Sequence, residues 1–179
     1  DGINGGMNSA PKFPMPVVFG YLLHYFHYSK EIKALEAVTL TLDKMAMGGI
    51  YDQIGGGFAR YSTDNYWKVP HFEKMLYDNA LLLSVLSEAY QLTRKERYRE
   101  VMEETMEFIQ HELLHPGKGF YAALDADSEG EEGKFYVWSQ KEVEVILKNE
   151  AYLFCGYYDI TEKGNLPSGE GGREKTNIL

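Results

Sequence analysis

The chain of 179 residues is poor in cysteine, in basic residues and in long apolar runs, and each shortage excludes a class of protein. A single cysteine, Cys155, excludes an internal disulfide and a cysteine-based metal cluster, and it favours a reducing, cytoplasmic location. The net charge of -9 argues against a nucleic-acid partner, because phosphate binding needs a basic face. No apolar run approaches the roughly 18 residues of a membrane span, so no membrane partner is expected.

Nucleotide-binding and nucleophile motifs are also missing. The segment 48–63, GGIYDQIGGGFARYST, contains five glycines but no following Lys-Ser or Lys-Thr pair, so it is not a P-loop. A dinucleotide-binding loop would follow a strand, whereas this segment follows a predicted amphipathic helix. The chain has no G-x-S-x-G motif, and its five histidines are scattered. The sequence therefore predicts no metal site and no cofactor.

Helical periodicity dominates the rest of the chain. Two predicted helices are apolar around most of their circumference, which is typical of a buried helix, and two have a single apolar face. The two types alternate along the chain. The helices over 17–28 and 71–92 are predicted to be buried, and those over 30–47 and 95–114 have one apolar face. This order predicts an all-α fold of helix hairpins in two concentric layers.

The C-terminal third adds a small β excursion. We expect a two-stranded hairpin between 120–124 and 134–138, because both stretches are aromatic and apolar and an acidic turn separates them. Ser139 and Glu142 form a capping box that opens one more helix over 140–147. The tail from residue 164 is predicted to be a loop.

In such a two-layer barrel the loops from outer to inner helices open at one end, here 48–70 and 115–139, joined by the leader 1–16. On the third helix His71, Lys74 and Asp78 have the spacing i, i+3, i+7 and fall within about 60° of the circumference. This stripe indicates either a helix that lines a cavity or structural ion pairs such as Lys74 with Asp78. His71 in the first turn can act as a base or can cap and pack the helix.

The acidic turn suggests calcium at first sight. Asp125 and Asp127 occupy the first and third places of an EF-hand-type loop, but the twelfth place holds Tyr136 instead of the bidentate Glu. A polar hairpin turn is the simpler interpretation. The third alternative is that Asp125 or Asp127 serves as an acid/base group over the cavity.

Four stretches resemble the spermatogenesis-associated protein 20 family: APKFP (10–14), the segment 48–82, DADSEGEEGKFYVW (125–138) and the terminal NIL. The resemblance implies an upstream thioredoxin-like domain followed by an (α/α)6 toroid of six helix hairpins. This chain would supply the first part of that toroid, with the thioredoxin-like domain as its partner in cis. The toroid is similar to those of N-acylglucosamine 2-epimerases and six-hairpin glycosidases, whose GGF-type loop corresponds to residues 56–58.

Two functions remain open. One is a sugar-active enzyme, either an epimerase or isomerase or a glycosidase, that acts by acid/base chemistry on a small molecule. Its catalytic candidates are His71, Asp78, Asp125 and Asp127, and its substrate-binding candidates are Asp52, Phe58, Arg60, Tyr61, Trp67, Lys74 and Tyr77. The other is a non-catalytic binding or scaffold module attached to the thioredoxin-like domain. Because part of a toroid would expose apolar helix faces, we also expect that the fragment either self-associates or belongs to a longer chain that covers these faces.

Overall fold

The computed structural model describes residues 1–166 and 175–179, so half of the predicted C-terminal loop lies outside the described residues. The chain divides into two compact units, Asp1–Asp125 and Ala126–Leu179.

The first unit is built from two helix hairpins. Its four helices are α1 (Pro16–Ser29), α2 (Ile32–Ala46), α3 (Leu76–Thr93) and α4 (Glu96–Phe108), and a π-helical turn, Ile109–Leu113, extends α4. Helix α1 packs on α2 and on α3, and α3 packs on α4, so the two hairpins lie side by side. The core between them contains Val38, Leu42, Leu82, Leu86 and Tyr98, all buried. The predicted helix hairpins are therefore confirmed.

Helix α1 departs from the prediction that it is buried on all sides. Phe19 and Leu23 are buried, but Val17, Tyr21 and Tyr28 on the opposite side are exposed. An apolar sequence around a helix indicates only that each face favours a partner. In this unit α1 has partners on α2 and α3 and keeps one uncovered face.

The third helix begins five residues later than predicted. Residues 70–75 are extended, because Arg60 N–H donates to the Glu73 carbonyl and Leu76 N–H donates to the Ala122 carbonyl. His71 and Lys74 therefore lie before α3, and the predicted stripe of His71, Lys74 and Asp78 on one helix is wrong. These distant backbone partners override the local helical periodicity.

Short antiparallel strand pairs hold this extended segment. β1 (Tyr61–Ser62) pairs with β2 (Pro70–His71), and β3 (Lys74–Met75) pairs with β4 (Ala123–Leu124). The leader joins the first pair, because Lys12 and Ser62 exchange two backbone hydrogen bonds of 2.7 and 2.9 Å. The leader, the 48–70 loop and residues 115–124 thus meet around the start of α3, as the order of the helices predicts.

The predicted hairpin of 120–124 with 134–138 does not form, because residues 123–124 pair with β3 instead. The second unit has its own tight hairpin, β5 (Asp127–Ser128) with β6 (Glu131–Glu132). It also contains α5 (Gln140–Leu147), whose capping box is confirmed, and α6 (Ala151–Tyr157), which the sequence pattern did not predict. Only one of the seven residues of α6, Ala151, is buried.

Within residues 1–166 and 175–179, no helix has the length and apolar character needed to cross a membrane.

Candidate functional site

Arg60 and Glu73 form the centre of the polar cluster at the start of α3. Arg60 Nη1 lies 2.9 Å from Glu73 Oε2, and the same carboxylate oxygen lies 3.9 Å from His71 Nε2. The side chain of Tyr77 also interacts with the guanidinium group. Backbone pairing fixes this geometry, since Arg60 N–H donates to the Glu73 carbonyl over 2.8 Å.

Asp78 is the buried carboxyl group of the cluster. It is the third residue of α3 and only 9% exposed. Burial raises the pKa of Asp78 to about 6; the positive charge of Arg60 opposes the rise, and the negative charge of Glu73 adds to it. The positive end of the helix dipole also favours the carboxylate. The cost of desolvating the carboxylate therefore outweighs the stabilisation from Arg60 and from the helix dipole together.

Two polar atoms in this cluster are unsatisfied. Among the described residues, Asp78 Oδ2 and Arg60 Nε have no hydrogen-bond partner, although both atoms are buried. Buried polar atoms are nearly always paired, and exceptions in native proteins often mark sites of chemistry or of missing solvent. The cluster therefore keeps hydrogen-bonding capacity that the fold itself does not use.

An aromatic row lies beside the cluster. The Tyr61 ring stacks on His71 with centroids 4.9 Å apart and planes at 16°, and the tilted Phe13 ring has its centroid 4.8 Å from that of Tyr61. His71, in β2, belongs to this row and also borders Glu73. The helical periodicity of residues 71–92 predicts a helical His71, and no sequence pattern singles out Phe13.

Lys74 is a structural residue in this fold. Its Nζ lies 2.8 Å from Asp52 Oδ2, donates to the Gly56 carbonyl over 2.8 Å, and lies 4.5 Å above the Phe108 ring. Lys74 is 3% exposed, and burial lowers its pKa in spite of the charge of Asp52. Lys74 pairs with Asp52 instead of with Asp78 as predicted. This ion pair connects β3 to the glycine-rich segment 48–63, called the glycine loop below.

The glycine loop is clamped a second time by Asn79. Its Oδ1 accepts from the Phe58 N–H over 2.7 Å, and its Nδ2 donates to the Phe58 carbonyl over 3.0 Å. Gly57 has φ of +79°, and a Cβ there would lie 2.5 Å from the Phe108 ring. The glycines therefore allow the loop to approach the π-extended end of α4 closely.

Two predicted binding residues lie in the core instead of on a surface. Trp67 is 0% exposed, and its Nε1 donates to the Asn4 carbonyl over 2.8 Å. Phe58 is 1% exposed and packs on Tyr51. Neither ring offers a surface to a ligand, because aromatic side chains contribute large buried areas to the fold as readily as to a site.

The remaining candidates are spread over the two units. Tyr77 is partly exposed beside Arg60. Asp125 is exposed and follows β4 directly, next to the position that pairs with Lys74. Asp127 is exposed in β5 of the second unit. The roles of Asp125 and Asp127 stay predictions.

Glu73 is the residue that the sequence analysis missed. It contacts Arg60 and His71, and it contributes to the raised pKa of Asp78. Its only sequence signal is its place between two candidates, inside the segment HFEK. Across residues 1–166 and 175–179, no three His, Cys, Asp or Glu side chains are arranged to hold a metal ion.

No protein-family model matches the chain. It is 40% identical to human spermatogenesis-associated protein 20 over 191 aligned residues, which cover 93% of this chain and 24% of that protein. It is also 36% identical to an uncharacterized protein of Caenorhabditis elegans, over 93% of this chain and 26% of the relative. The predicted resemblance is confirmed, and the chain spans about a quarter of the length of these relatives.

Solved structures show the fold. A cellobiose 2-epimerase from Bacillus thermoamylovorans has a TM-score of 0.61 at 12% identity, over 75% of this chain and 39% of that one. A sugar epimerase from a ruminal bacterium gives 0.59 at 16% identity, over 85% and 43%. A family 76 glycoside hydrolase from Bacteroides thetaiotaomicron gives 0.56 at 18% identity, over 80% and 33%. The prediction of part of an (α/α)6 toroid is thus confirmed.

Proposed function

The chain is a relative of spermatogenesis-associated protein 20 with the fold of epimerase and glycosidase toroids, and from that premise we propose a carbohydrate-active site at the start of α3. Its reaction is proton transfer to and from a sugar, of the epimerase or isomerase type. The observation that carries the proposal is Asp78. Its carboxyl group is buried and has an unpaired oxygen among the described residues, and its pKa of about 6 lies near neutrality.

Asp78 can exchange a proton in either direction. A group whose pKa lies close to the working pH is present in both forms, so it can remove a proton in one step and return it in the next. Aldose–ketose isomerisation can use both steps on one face of the substrate, whereas epimerisation also needs a second group that returns the proton to the opposite face of the carbon. An aspartate with an ordinary pKa near 3.8 would be fully ionised and would be a weaker base.

Arg60 provides the charge for the intermediate. Removing a proton beside a carbonyl group leaves negative charge on the carbonyl oxygen, and a fixed guanidinium group stabilises it. Arg60 is held by Glu73 at 2.9 Å and still has an unpaired Nε among the described residues. The side chain of Tyr77 also interacts with the Arg60 guanidinium group, and its hydroxyl is a candidate for contact with a sugar hydroxyl.

The aromatic row supports the choice of a sugar as substrate. Phe13, Tyr61 and His71 are partly exposed; Tyr61 contacts Phe13 at a tilted angle and stacks on His71, which borders Glu73. Pyranose rings have apolar C–H faces that pack on aromatic rings, while their hydroxyls bind charged groups. His71 is also the second candidate for proton transfer, because its imidazole lies next to Glu73.

A non-catalytic binding module is the second candidate. The ion pair of Arg60 with Glu73 favours it, because two charges that neutralise each other can bind a ligand without driving any reaction on it. In this alternative the site keeps its ligand contacts and lacks turnover. The thioredoxin-like domain in cis, which the resemblance implies, stays a prediction in both cases.

The test uses the full-length protein and a panel of hexoses, N-acetylhexosamines and hexuronates in D2O. We expect NMR to detect deuterium uptake at C2 of at least one sugar, and D78N to abolish it. The control is E36Q, which changes an exposed carboxylate on α2 and should retain the wild-type rate. A melting shift without exchange would favour the binding module, and neither signal with any sugar would contradict both candidates.

A further inference from the structure

Glu73 is held against Arg60 by two separate contacts. The Glu73 carbonyl accepts from the Arg60 N–H over 2.8 Å, and Glu73 Oε2 lies 2.9 Å from Arg60 Nη1. The backbone bond fixes the distance between the two residues, so the carboxylate stays within reach of the guanidinium group. Both side chains are partly covered by the fold, and water and salt screen such a pair less than a fully exposed one. The proton transfer proposed above uses Glu73 only to hold Arg60.

This contact uses part of the group that would otherwise bind an anionic substrate. A guanidinium group is the preferred partner of a carboxylate in proteins, because its charge and its planar N–H donors match the two oxygens. Glu73 already neutralises the charge of Arg60 and accepts from its Nη1. Arg60 Nε is buried and has no partner among the described residues, so it remains a donor for an uncharged carbonyl or hydroxyl oxygen.

The other charges at the start of α3 act in the same direction. Asp78 has a pKa of about 6 and is mostly ionised above pH 7, so the charge of Arg60 is shared between two carboxylates. Lys74 does not offset them, because it is buried and already bound to Asp52 and to the Gly56 carbonyl. A permanent negative charge on a ligand would therefore meet at least as much negative as positive charge from these side chains.

We propose that Glu73 is the specificity-determining residue of the sugar site: its carboxylate takes the place of a substrate carboxylate on Arg60, so the site binds neutral sugars and rejects hexuronates. The inference rests on the proposed sugar site and adds the charge of its substrate. A fixed counter-charge of this kind excludes a wrong partner, because like charges held close together reduce affinity.

The experiment compares matched pairs of sugars on the full-length protein. The pairs are D-glucose with D-glucuronate, D-mannose with D-mannuronate, and D-galactose with D-galacturonate. The members of a pair differ only at C6, which carries a hydroxymethyl group in one and a carboxylate in the other. Titrations of the melting temperature give the dissociation constants. We expect wild type to bind the hexose of at least one pair about tenfold or more tightly than its hexuronate, and E73Q to reduce this ratio to about twofold or less.

Two variants and one change of salt separate charge from shape. E36Q removes one charge from an exposed position on α2 and should keep the wild-type ratio. E73D keeps the charge on a shorter side chain and should also reject hexuronates. Salt at about 1 M shortens the screening length to about 3 Å, so it should weaken the binding of hexuronates to E73Q and leave the binding of hexoses unchanged.

An equal ratio in wild type and E73Q would overturn the proposal. A gain of hexuronate binding in both E73Q and E73D would also overturn it, because the shape of the side chain would then be decisive. Wild type that binds both members of a pair equally would contradict it whether or not E73Q folds. The expected ratios without deuterium exchange at C2 would support the role of Glu73 and contradict the proposed reaction, whereas no binding of any sugar to either protein would contradict both.

Discussion

Replacing Asp78 with Asn should stabilise the protein in a pH-dependent way. Asp78 has a folded-state pKa of about 6, which is about two pH units above its ordinary value of 3.8. Because the folded pKa is raised, folding favours the protonated form, and stability is lost as the pH rises through the folded pKa. At 1.36 kcal/mol per unit, ionised Asp78 costs the fold about 3 kcal/mol at pH 7.5.

The difference in unfolding free energy between D78N and wild type should therefore be small near pH 4. It should grow between pH 4 and 6 and level off above pH 7 at about 3 kcal/mol in favour of D78N. The assay is urea unfolding followed by the fluorescence of Trp67, which is buried in the same unit, in a W138F background. E36Q provides the control for a solvent-exposed carboxylate.

A D78N advantage that stays constant from pH 4 to 7.5 would show that Asp78 does not change its charge at an unusual pH. A variant that is less stable at all pH values would show that the carboxylate is paired in the fold. Either result would also remove the physical basis for proton exchange at this residue.

Two further predictions concern the glycine loop, both measured by urea unfolding. K74M should cost about 3–5 kcal/mol, because it removes the cationic partner of the partly buried Asp52 carboxylate. K95M, at an exposed ion pair, should cost at most about 1 kcal/mol, and equal costs of the two variants would contradict a structural role for buried Lys74. G57A should cost about 1–3 kcal/mol more than G130A. Both glycines have φ near +80°, but only at position 57 would the new methyl group clash with Phe108. Equal costs would show that only the strained backbone conformation matters and that the contact with Phe108 does not.

The helix hairpins could be predicted because their signal is local and repeated. Helix α2 has buried residues such as Val38 and Leu42 at helical spacing, and the capping box of Ser139 and Glu142 marks the start of α5 within four residues. Such patterns need no knowledge of distant partners. The fold class follows from the alternation of the helix types together with the family resemblance.

The site could be predicted only in part, because its geometry depends on distant backbone pairing. Residues 70–75 follow a helical pattern but are drawn into strands by partners near residues 61 and 123. This moves His71 off the helix and brings Glu73 between His71 and Arg60. Burial of an aromatic residue such as Trp67 likewise depends on the leader that packs over it, and the composition of the loop does not reveal that contact.

The most direct test of the account is the pH profile of C2 deuterium exchange for the sugar that the full-length protein accepts. If Asp78 is the proton-transferring group, the rate should rise with pH through an apparent pKa near 6 and level off above it, and D78N should lose this exchange. Exchange that persists in D78N with the wild-type pH profile would exclude Asp78 as the proton-transferring group and would assign the chemistry to another residue.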